Sequence, residues 1–166
     1  MNNSAATIAE ESRLSEQEIA EINEEASHYE QKSGASIEAL KIVQKYRRWV
    51  SDDSLKQIAE LLGMSPEELD GVATFYNLIY RQPVGRKVIL CCDSVSCWML
   101  GANDVQDGIS QRLGIGLGET TEDDEYTLLP IVCLGACDHA PVMMVDDVLH
   151  HDVDEKQLDK IFENRK

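Results

Sequence analysis

The sequence predicts an α/β protein in which an N-terminal helical bundle, residues 14–83, precedes a mixed α/β domain, residues 84–166. Two observations indicate this division. Apolar residues recur at helical spacing throughout the first half, whereas short apolar runs with β-branched residues characterise the second. The pattern changes at Arg81-Gln-Pro-Val-Gly85, where Pro and Gly interrupt the helical periodicity. Residues 1–13 are polar and lack periodicity, so we expect a disordered tail there.

Four helices are predicted in the bundle. Ser15 and Glu18 form a capping-box pattern that opens the first helix, and Gly63 ends the third. The segment Ser65-Pro66-Glu67-Glu68 supplies an N-cap, a first-turn proline and a capping glutamate for the fourth. The apolar faces of the first three helices comprise, in chain order, Ile19, Ile22, Ala26 and Tyr29; Ile37, Leu40, Val43 and Tyr46, continuing to Trp49 and Val50; and Leu55, Ile58, Ala59 and Leu62.

Three buried strands and two helices are predicted in the second half. The apolar runs from Lys87 to Cys91, from Tyr126 to Val132 and from Val142 to Val145 are each bounded by turn residues. A helix is expected from about Asn103 to Leu113. Asp154 and Gln157 cap a last helix, which carries the apolar residues Leu158, Ile161 and Phe162.

The charge of the chain excludes several classes of partner. Its 166 residues include 31 acidic and 15 basic side chains, giving a formal charge of −16 that repels phosphate backbones and anionic membranes. The sequence shows neither a signal peptide nor a membrane span, so we expect a soluble, cytosolic protein. Thiols stay reduced in that compartment, and the five cysteines are therefore interpreted as ligands or redox groups.

The cysteines follow two predicted strands, as Cys92-Asp-Ser-Val-Ser-Cys97 and Cys133-Leu-Gly-Ala-Cys137. These spacings are wider than the two intervening residues typical of zinc ribbons and thioredoxin-type pairs. Two thiolates from each of two separated loops match the two irons of a [2Fe-2S] cluster. Structural zinc and unligated, redox-active thiols stay open as alternatives. Adjacent residues of a strand face opposite ways, so we predict Cys92 as a ligand and Cys91 as a core residue.

Several groups near these cysteines are expected to donate hydrogen bonds to sulfur and so to raise the potential of a cluster, whereas the carboxylates of Asp93 and Asp138 act in the opposite direction and leave the sign of the net effect open. They are the hydroxyls of Ser94 and Ser96 and the backbone amides of Leu134, Gly135 and Ala136. Two interpretations of Gly135 stay open, namely a glycine that lets the backbone turn close to sulfur and an ordinary loop glycine.

Other features of the sequence are interpreted as structural. Trp98 and Met99, which follow Cys97, are expected in the core, with shielding of a cluster or a docking face as the alternative. The four histidines are expected at the surface, with His139 the nearest to the cysteines. The run Gly114-Ile-Gly-Leu-Gly118 lacks the third glycine of a dinucleotide fingerprint, so no nucleotide is expected there. No hydrolytic or phosphoryl-transfer motif is present, and no side chain is assigned a catalytic role.

Five stretches of the sequence match the pattern of a known family. They are Ser36-Ile-Glu-Ala-Leu-Lys-Ile-Val-Gln-Lys45, Gly71-Val-Ala-Thr-Phe-Tyr76, Arg81-Gln-Pro-Val-Gly85, Cys92-Asp-Ser-Val-Ser-Cys97 and Leu128-Leu-Pro-Ile-Val-Cys-Leu-Gly-Ala-Cys137. These motifs resemble the small [2Fe-2S] subunit of bacterial respiratory complex I, the E-type subunit family of NADH:quinone oxidoreductase. The similarity runs from about Leu14 to the C-terminus and favours iron–sulfur over zinc.

The resemblance implies a thioredoxin-like [2Fe-2S] ferredoxin domain after the helical bundle, with one cluster on Cys92, Cys97, Cys133 and Cys137. It further implies single-electron exchange with the FMN of a partner subunit, which itself binds NADH and FMN, and assembly with other peripheral-arm subunits on the cytoplasmic side of the bacterial inner membrane. Diaphorase modules of NAD-linked hydrogenases and formate dehydrogenases resemble the chain too. A zinc-stabilised interaction module and a free-standing thioredoxin-like ferredoxin are the remaining alternatives.

Overall fold

The computed structural model describes residues 13–163, and the predicted tail lies outside these residues except for Arg13. The chain forms two compact units, one ending at Pro83 and the other beginning at Val84. Among the described residues, no helix has both the length and the apolar character that crossing a membrane requires.

In its described residues, the first unit consists of four α-helices and one short 3-10 helix. They are α1 (Glu16–Ala26), the 3-10 helix (Lys32–Ala35), α2 (Ser36–Arg47), α3 (Asp52–Leu62) and α4 (Pro66–Phe75). Both predicted capping boxes are present, at Ser15 with Glu18 and at Ser65 with Glu68. Gly63 ends α3 in the left-handed conformation, as predicted.

Two helices of this unit end earlier than the apolar pattern predicts. Helix α1 ends at Ala26, so Tyr29 lies beyond it and is exposed. Helix α2 ends at Arg47 because Arg48 adopts a left-handed conformation with φ of 71°. Val50 is nevertheless buried, and its backbone amide donates to the carbonyl of Tyr80.

A buried ion pair lies beside the apolar core of the first unit. Glu18 is only 2% exposed and accepts hydrogen bonds from Arg47, at 2.6 Å to Nε and 2.7 Å to Nη2. Its carboxylate also accepts from the backbone amide of Ser15 at 2.7 Å. Burial raises the pKa of Glu18, but the hydrogen bonds from Arg47 and Ser15 outweigh burial and hold that pKa below 4.5.

The second unit is a four-stranded sheet with three α-helices in its described residues. The elements are β1 (Lys87–Cys92), α5 (Val95–Met99), α6 (Ala102–Leu113), β2 (Tyr126–Ile131), a 3-10 turn (Cys137–His139), β3 (Met143–Val145), β4 (Val148–His150) and α7 (Glu155–Ile161). The spatial strand order is β2-β1-β3-β4. Strands β1 and β2 are parallel, whereas β1 with β3 and β3 with β4 are antiparallel.

The core of the second unit combines apolar residues of β1, β2 and β3 with those of α6 and α7. Its fully buried members include Ile89, Ile109, Leu128, Met143 and Leu158. These positions agree with the predicted strands and helices. Asp154 also caps α7 as predicted, since its side chain accepts from the amide of Gln157 at 2.8 Å.

Two short elements of this unit, α5 and β4, were not predicted. Strand β4 has only three residues, too few to show alternation, and a turn containing Asp146 at φ 50° joins it to β3. Helix α5 has five residues and contains Cys97, which the sequence placed in a loop. Both elements depend on tertiary pairing and packing, which short sequence patterns do not reveal.

Candidate metal centre

The four predicted ligands lie where two parallel strands end. Cys92 is the last residue of β1, and Cys97 lies in α5, which follows it. Cys133 comes shortly after β2, and Cys137 begins the 3-10 turn beyond it. Since β1 and β2 are paired in parallel, with Cys92 opposite Ile131, their carboxyl ends lie at the same edge of the sheet. The topology therefore directs both cysteine pairs to one place.

Pairwise interactions among the thiols connect the four cysteines. The Sγ atoms of Cys133 and Cys137 are 3.6 Å apart. The thiol of Cys92 interacts with the thiols of both Cys97 and Cys133, and the charge of Cys137 acts on Cys97. Cys92 also donates to the carbonyl of Val132 at 3.9 Å.

The spacing of Cys133 and Cys137 fits two thiolates on one tetrahedral metal. With metal–sulfur bonds of about 2.3 Å, two thiolates at the tetrahedral angle lie about 3.8 Å apart. The observed distance is 3.6 Å. Within residues 13–163, no three histidine, cysteine or carboxylate side chains converge on a single-ion position. A [2Fe-2S] rhomb requires only two thiolates at each iron, so the pairwise arrangement fits that group.

The two cysteine pairs differ in exposure. Cys92 and Cys97 are buried, at 2% and 0% exposure, whereas Cys133 and Cys137 are exposed. Burial raises the pKa of the Cys97 thiol to about 11, although a backbone hydrogen bond from Val142 acts in the opposite direction. The site thus has a buried side and a side open to the surroundings.

Backbone and hydroxyl groups donate to the exposed pair. The amide of Gly135 lies 3.3 Å from Sγ of Cys133, and this hydrogen bond lowers the pKa of that thiol, with smaller contributions that include Ser94. The hydrogen bond to Cys133 conversely raises the pKa of Cys137. Gly135 has φ of +81°, a conformation that glycine adopts without a steric penalty, as the expected turn beside sulfur requires.

Of the sulfur donors that the sequence suggested, Gly135 and Ser94 are observed to interact with a thiol. Donation by Ser96, Leu134 and Ala136 stays a prediction. The backbone of Val142, which interacts with Cys97, was not among the donors predicted from the sequence. Val142 precedes β3 in another part of the sequence, so only the pairing of β3 beside β1 could have revealed this donor.

Cys91 lies on the other side of β1, in the apolar core of the second unit. It is 6% exposed, and burial together with the charge of Cys92 raises the pKa of its thiol to about 12. No disulfide joins any of the five cysteines, all of which fall within the described residues.

The expectation that Trp98 and Met99 belong to the core is wrong. Trp98 is 61% exposed and Met99 is 72% exposed, because α5 turns only Cys97 inward. Apolar neighbours in the sequence are exposed as well. We define the apolar rim as the exposed residues that flank the cysteines: Val95, Trp98, Met99, Leu100 and Val132.

Among the described residues, the histidines do not form a group with other ligands that could hold a metal ion. His28, His139 and His151 are exposed, as predicted, but His150 is partly buried, and burial lowers its pKa. His139, near Cys137, has its Nδ1 atom 3.1 Å from a carboxylate oxygen of Asp152.

The glycine run from Gly114 to Gly118 is not arranged to bind phosphate. The Gly116 amide donates to the carboxylate of Glu119 at 2.7 Å, and the Gly118 amide donates to the carbonyl of Leu128 at 2.7 Å. A carboxylate therefore occupies the position at which an anion would have to bind.

Comparison with known proteins identifies the class to which this site belongs. The family model for the thioredoxin-like [2Fe-2S] ferredoxin matches residues 22–166, and the chain belongs to that family. Its members carry a [2Fe-2S] cluster, so the prediction of one such cluster is confirmed and zinc is set aside.

Within this family the chain groups with proteins named as the E-type subunit of NADH-quinone oxidoreductase, as the resemblance predicted. It is 51% identical over 150 residues to the protein of Pseudomonas aeruginosa, covering 90% of each chain. It is 46% identical over 153 residues to that of Escherichia coli strain K12, covering 92% of each. The protein of Buchnera aphidicola from Acyrthosiphon pisum is 44% identical over 154 residues, covering 93% of this chain and 95% of its own.

A solved structure supports the fold. The NAD+-reducing [NiFe]-hydrogenase in its air-oxidised state matches with a TM-score of 0.66 and 21% identity. The match covers 78% of this chain and 22% of the hydrogenase chain. At that identity the likeness establishes a shared fold only.

Proposed function

We propose that this chain is the [2Fe-2S] electron-transfer subunit of an NADH-quinone oxidoreductase. The observation that carries the proposal is the position of two cysteine pairs at one edge of the sheet. The chain is also similar over nearly its whole length to proteins named as the E-type subunit of that oxidoreductase. The proposed ligands are Cys92, Cys97, Cys133 and Cys137. The cluster, when bound, supplies one-electron redox chemistry.

The residues of this chain hold and tune the cluster rather than transfer protons. Cys92 and Cys97 supply the buried pair of thiolates, and Cys133 and Cys137 supply the exposed pair. The amides of Gly135 and Val142 stabilise negative charge on sulfur, which favours the reduced state and raises the potential. No acid–base residue is required, because only electrons are exchanged.

The proposed electron partner is the subunit that binds NADH and FMN. Electrons would pass on the side of Cys133 and Cys137, since these two ligands are exposed. The apolar rim next to the cysteines supports docking of a partner there, because large apolar side chains at 60% to 72% exposure are typical of interface cores.

The helical unit exposes a second apolar group at the end of α4. Phe75 is 80% exposed, and its ring packs edge-to-face on Tyr76 with centroids 5.3 Å apart. Leu78 is 47% exposed. We assign these residues to contacts with the same partner or with other peripheral-arm subunits, on the cytoplasmic side of the bacterial inner membrane. Membership in a diaphorase module of a hydrogenase or formate dehydrogenase would preserve the same role with other neighbours.

The test begins with the purified chain, produced in cells that assemble clusters. Iron and acid-labile sulfide are counted, and absorption and low-temperature EPR spectra are recorded before and after dithionite. Two irons per chain, visible bands that bleach and a spin-half signal after reduction are expected. A colourless protein with one zinc would overturn the assignment. Co-purification of a tagged chain with stoichiometric FMN tests the partner, and a chain that purifies apart from any flavoprotein would refute it.

A further inference from the structure

We propose that Cys133 and Cys137 form a disulfide with each other in the chain that has not yet received its cluster. Assembly would then require reduction of this disulfide, so the thiol–disulfide balance of the cell would control loading of the site. The inference rests on the proposed ligand set, because a disulfide between these two residues removes both thiolates intended for one iron.

The geometry carries the proposal. A disulfide has an S–S distance of about 2.0 Å, so the Sγ atoms of Cys133 and Cys137, now 3.6 Å apart, must approach by about 1.6 Å. Both side chains are exposed, and rotation about their χ1 bonds meets little packing resistance. Gly135, between them in sequence, already turns the backbone with φ of +81°.

Burial makes this pair selective among the five cysteines. Cys91, Cys92 and Cys97 are 6%, 2% and 0% exposed, so a dissolved disulfide cannot reach their sulfur atoms without local unfolding. Cys91 also points into the core, away from the other four. In the folded chain a dissolved disulfide therefore reaches only Cys133 and Cys137, and the 3.6 Å between their Sγ atoms favours closure of the disulfide between these two.

The oxidant is a low-molecular-weight disulfide such as oxidised glutathione. One of the two cysteines loses its thiol proton and attacks a sulfur of glutathione disulfide, which forms a mixed disulfide and releases one glutathione. The second cysteine then loses its proton and attacks the protein sulfur of the mixed disulfide, releasing the second glutathione. In total, two protein thiols are oxidised to one disulfide, and one glutathione disulfide is reduced to two glutathione molecules.

The experiment uses the full-length chain, stripped of metal by a chelator under reducing conditions and then exposed anaerobically to oxidised glutathione. Remaining thiols are then alkylated in denaturant, which exposes the buried cysteines, and intact mass and peptide maps are recorded without reductant. We expect loss of two hydrogens per chain, a peptide crosslinked from Cys133 to Cys137, and alkylation of Cys91, Cys92 and Cys97 only. Uptake of iron and sulfide should be blocked until dithiothreitol is added.

Two variants serve as controls. Cys91→Ser should form the same crosslink, since Cys91 takes no part in it. Cys133→Ser should stop at a mixed disulfide between Cys137 and glutathione. Stable glutathione adducts on the wild-type chain, or crosslinks that involve Cys91, Cys92 or Cys97, would overturn the proposal. The spectra of the loaded chain test the ligand set separately, so a normal cluster with no disulfide in the stripped chain would refute this inference alone.

Discussion

The neighbouring residues Cys91 and Cys92 allow the ligand assignment to be tested with a closely matched pair of variants. Both are buried in β1, at 6% and 2% exposure, so serine at either position places a hydroxyl where little water reaches. They differ in direction, since Cys91 packs in the apolar core whereas Cys92 interacts with the thiols of Cys97 and Cys133. The Cys91→Ser protein should therefore keep the cluster, whereas the Cys92→Ser protein should lose it or bind it incompletely.

The expected magnitudes follow from these surroundings. A hydroxyl buried without a full set of partners costs about 1–3 kcal/mol of folding free energy. In a unit of this size, each kcal/mol lowers the melting temperature by roughly 4–8 °C. Cys91→Ser should show this thermal shift with an unchanged iron content. Cys92→Ser removes one of the four proposed thiolates, so its iron and sulfide content should fall far below that of Cys91→Ser.

The assay compares iron, sulfide, EPR spectra and thermal melting of the two variants, produced side by side in cells that assemble clusters. Thermal melting separates loss of fold from loss of ligand. A Cys92→Ser protein with two irons and an unaltered EPR spectrum, beside a folded Cys91→Ser protein without iron, would refute the reasoning from strand alternation.

Three further predictions test the surroundings of the site and the fold. Glu18→Gln should lower the free energy of unfolding by on the order of 2 kcal/mol above pH 4.5, because the lowered pKa of Glu18 stabilises the folded state above the unfolded pKa and this stabilisation is lost on acidification. Urea unfolding at several pH values measures the difference between variant and wild type, and a difference that does not change with pH would contradict the prediction. Gly135→Ala strains a positive-φ position by about 1–2 kcal/mol and should lower the reduction potential of the cluster, because it weakens the hydrogen bond from the backbone amide to Cys133. A redox titration followed by EPR measures this potential, and a raised value would contradict the prediction. Gly85→Ala places a Cβ only 3.0 Å from the nearest backbone atom, so the free energy of unfolding of the second unit should fall by about 1–3 kcal/mol. An unchanged denaturant midpoint would contradict this prediction.

Much of the fold was predictable because its elements carry local signals. The capping boxes at Ser15 and Ser65 and the left-handed stop at Gly63 lie within the sequence of each helix. Long apolar runs identified β1 and β2. In contrast, no local pattern specifies the left-handed conformation of Arg48, which ends α2 at Arg47, or the pairing that forms the short strand β4.

The candidate site was predictable to the level of strand ends. Alternation in β1 distinguished Cys91 from Cys92, and parallel strands explained why two distant cysteine pairs meet. The contribution of Val142 could not be predicted, because it comes from the segment before β3. The exposure of Trp98 was predicted wrongly, since the general preference of large apolar side chains for burial does not show which side chains a short helix turns outward.

The unequal exposure of the two cysteine pairs follows from the strand order β2-β1-β3-β4. Strand β1 is an interior strand, so Cys92 at its end is enclosed between neighbouring segments, and α5 buries Cys97 beside it. Strand β2 is an edge strand, and the loop that carries Cys133 and Cys137 is open to the surroundings. The same exposure that would bring a partner's redox group close to the proposed cluster also admits small disulfides to these thiols. Docking of the proposed partner over the apolar rim would therefore both complete the proposed electron path and protect the two proposed ligands that the fold leaves accessible.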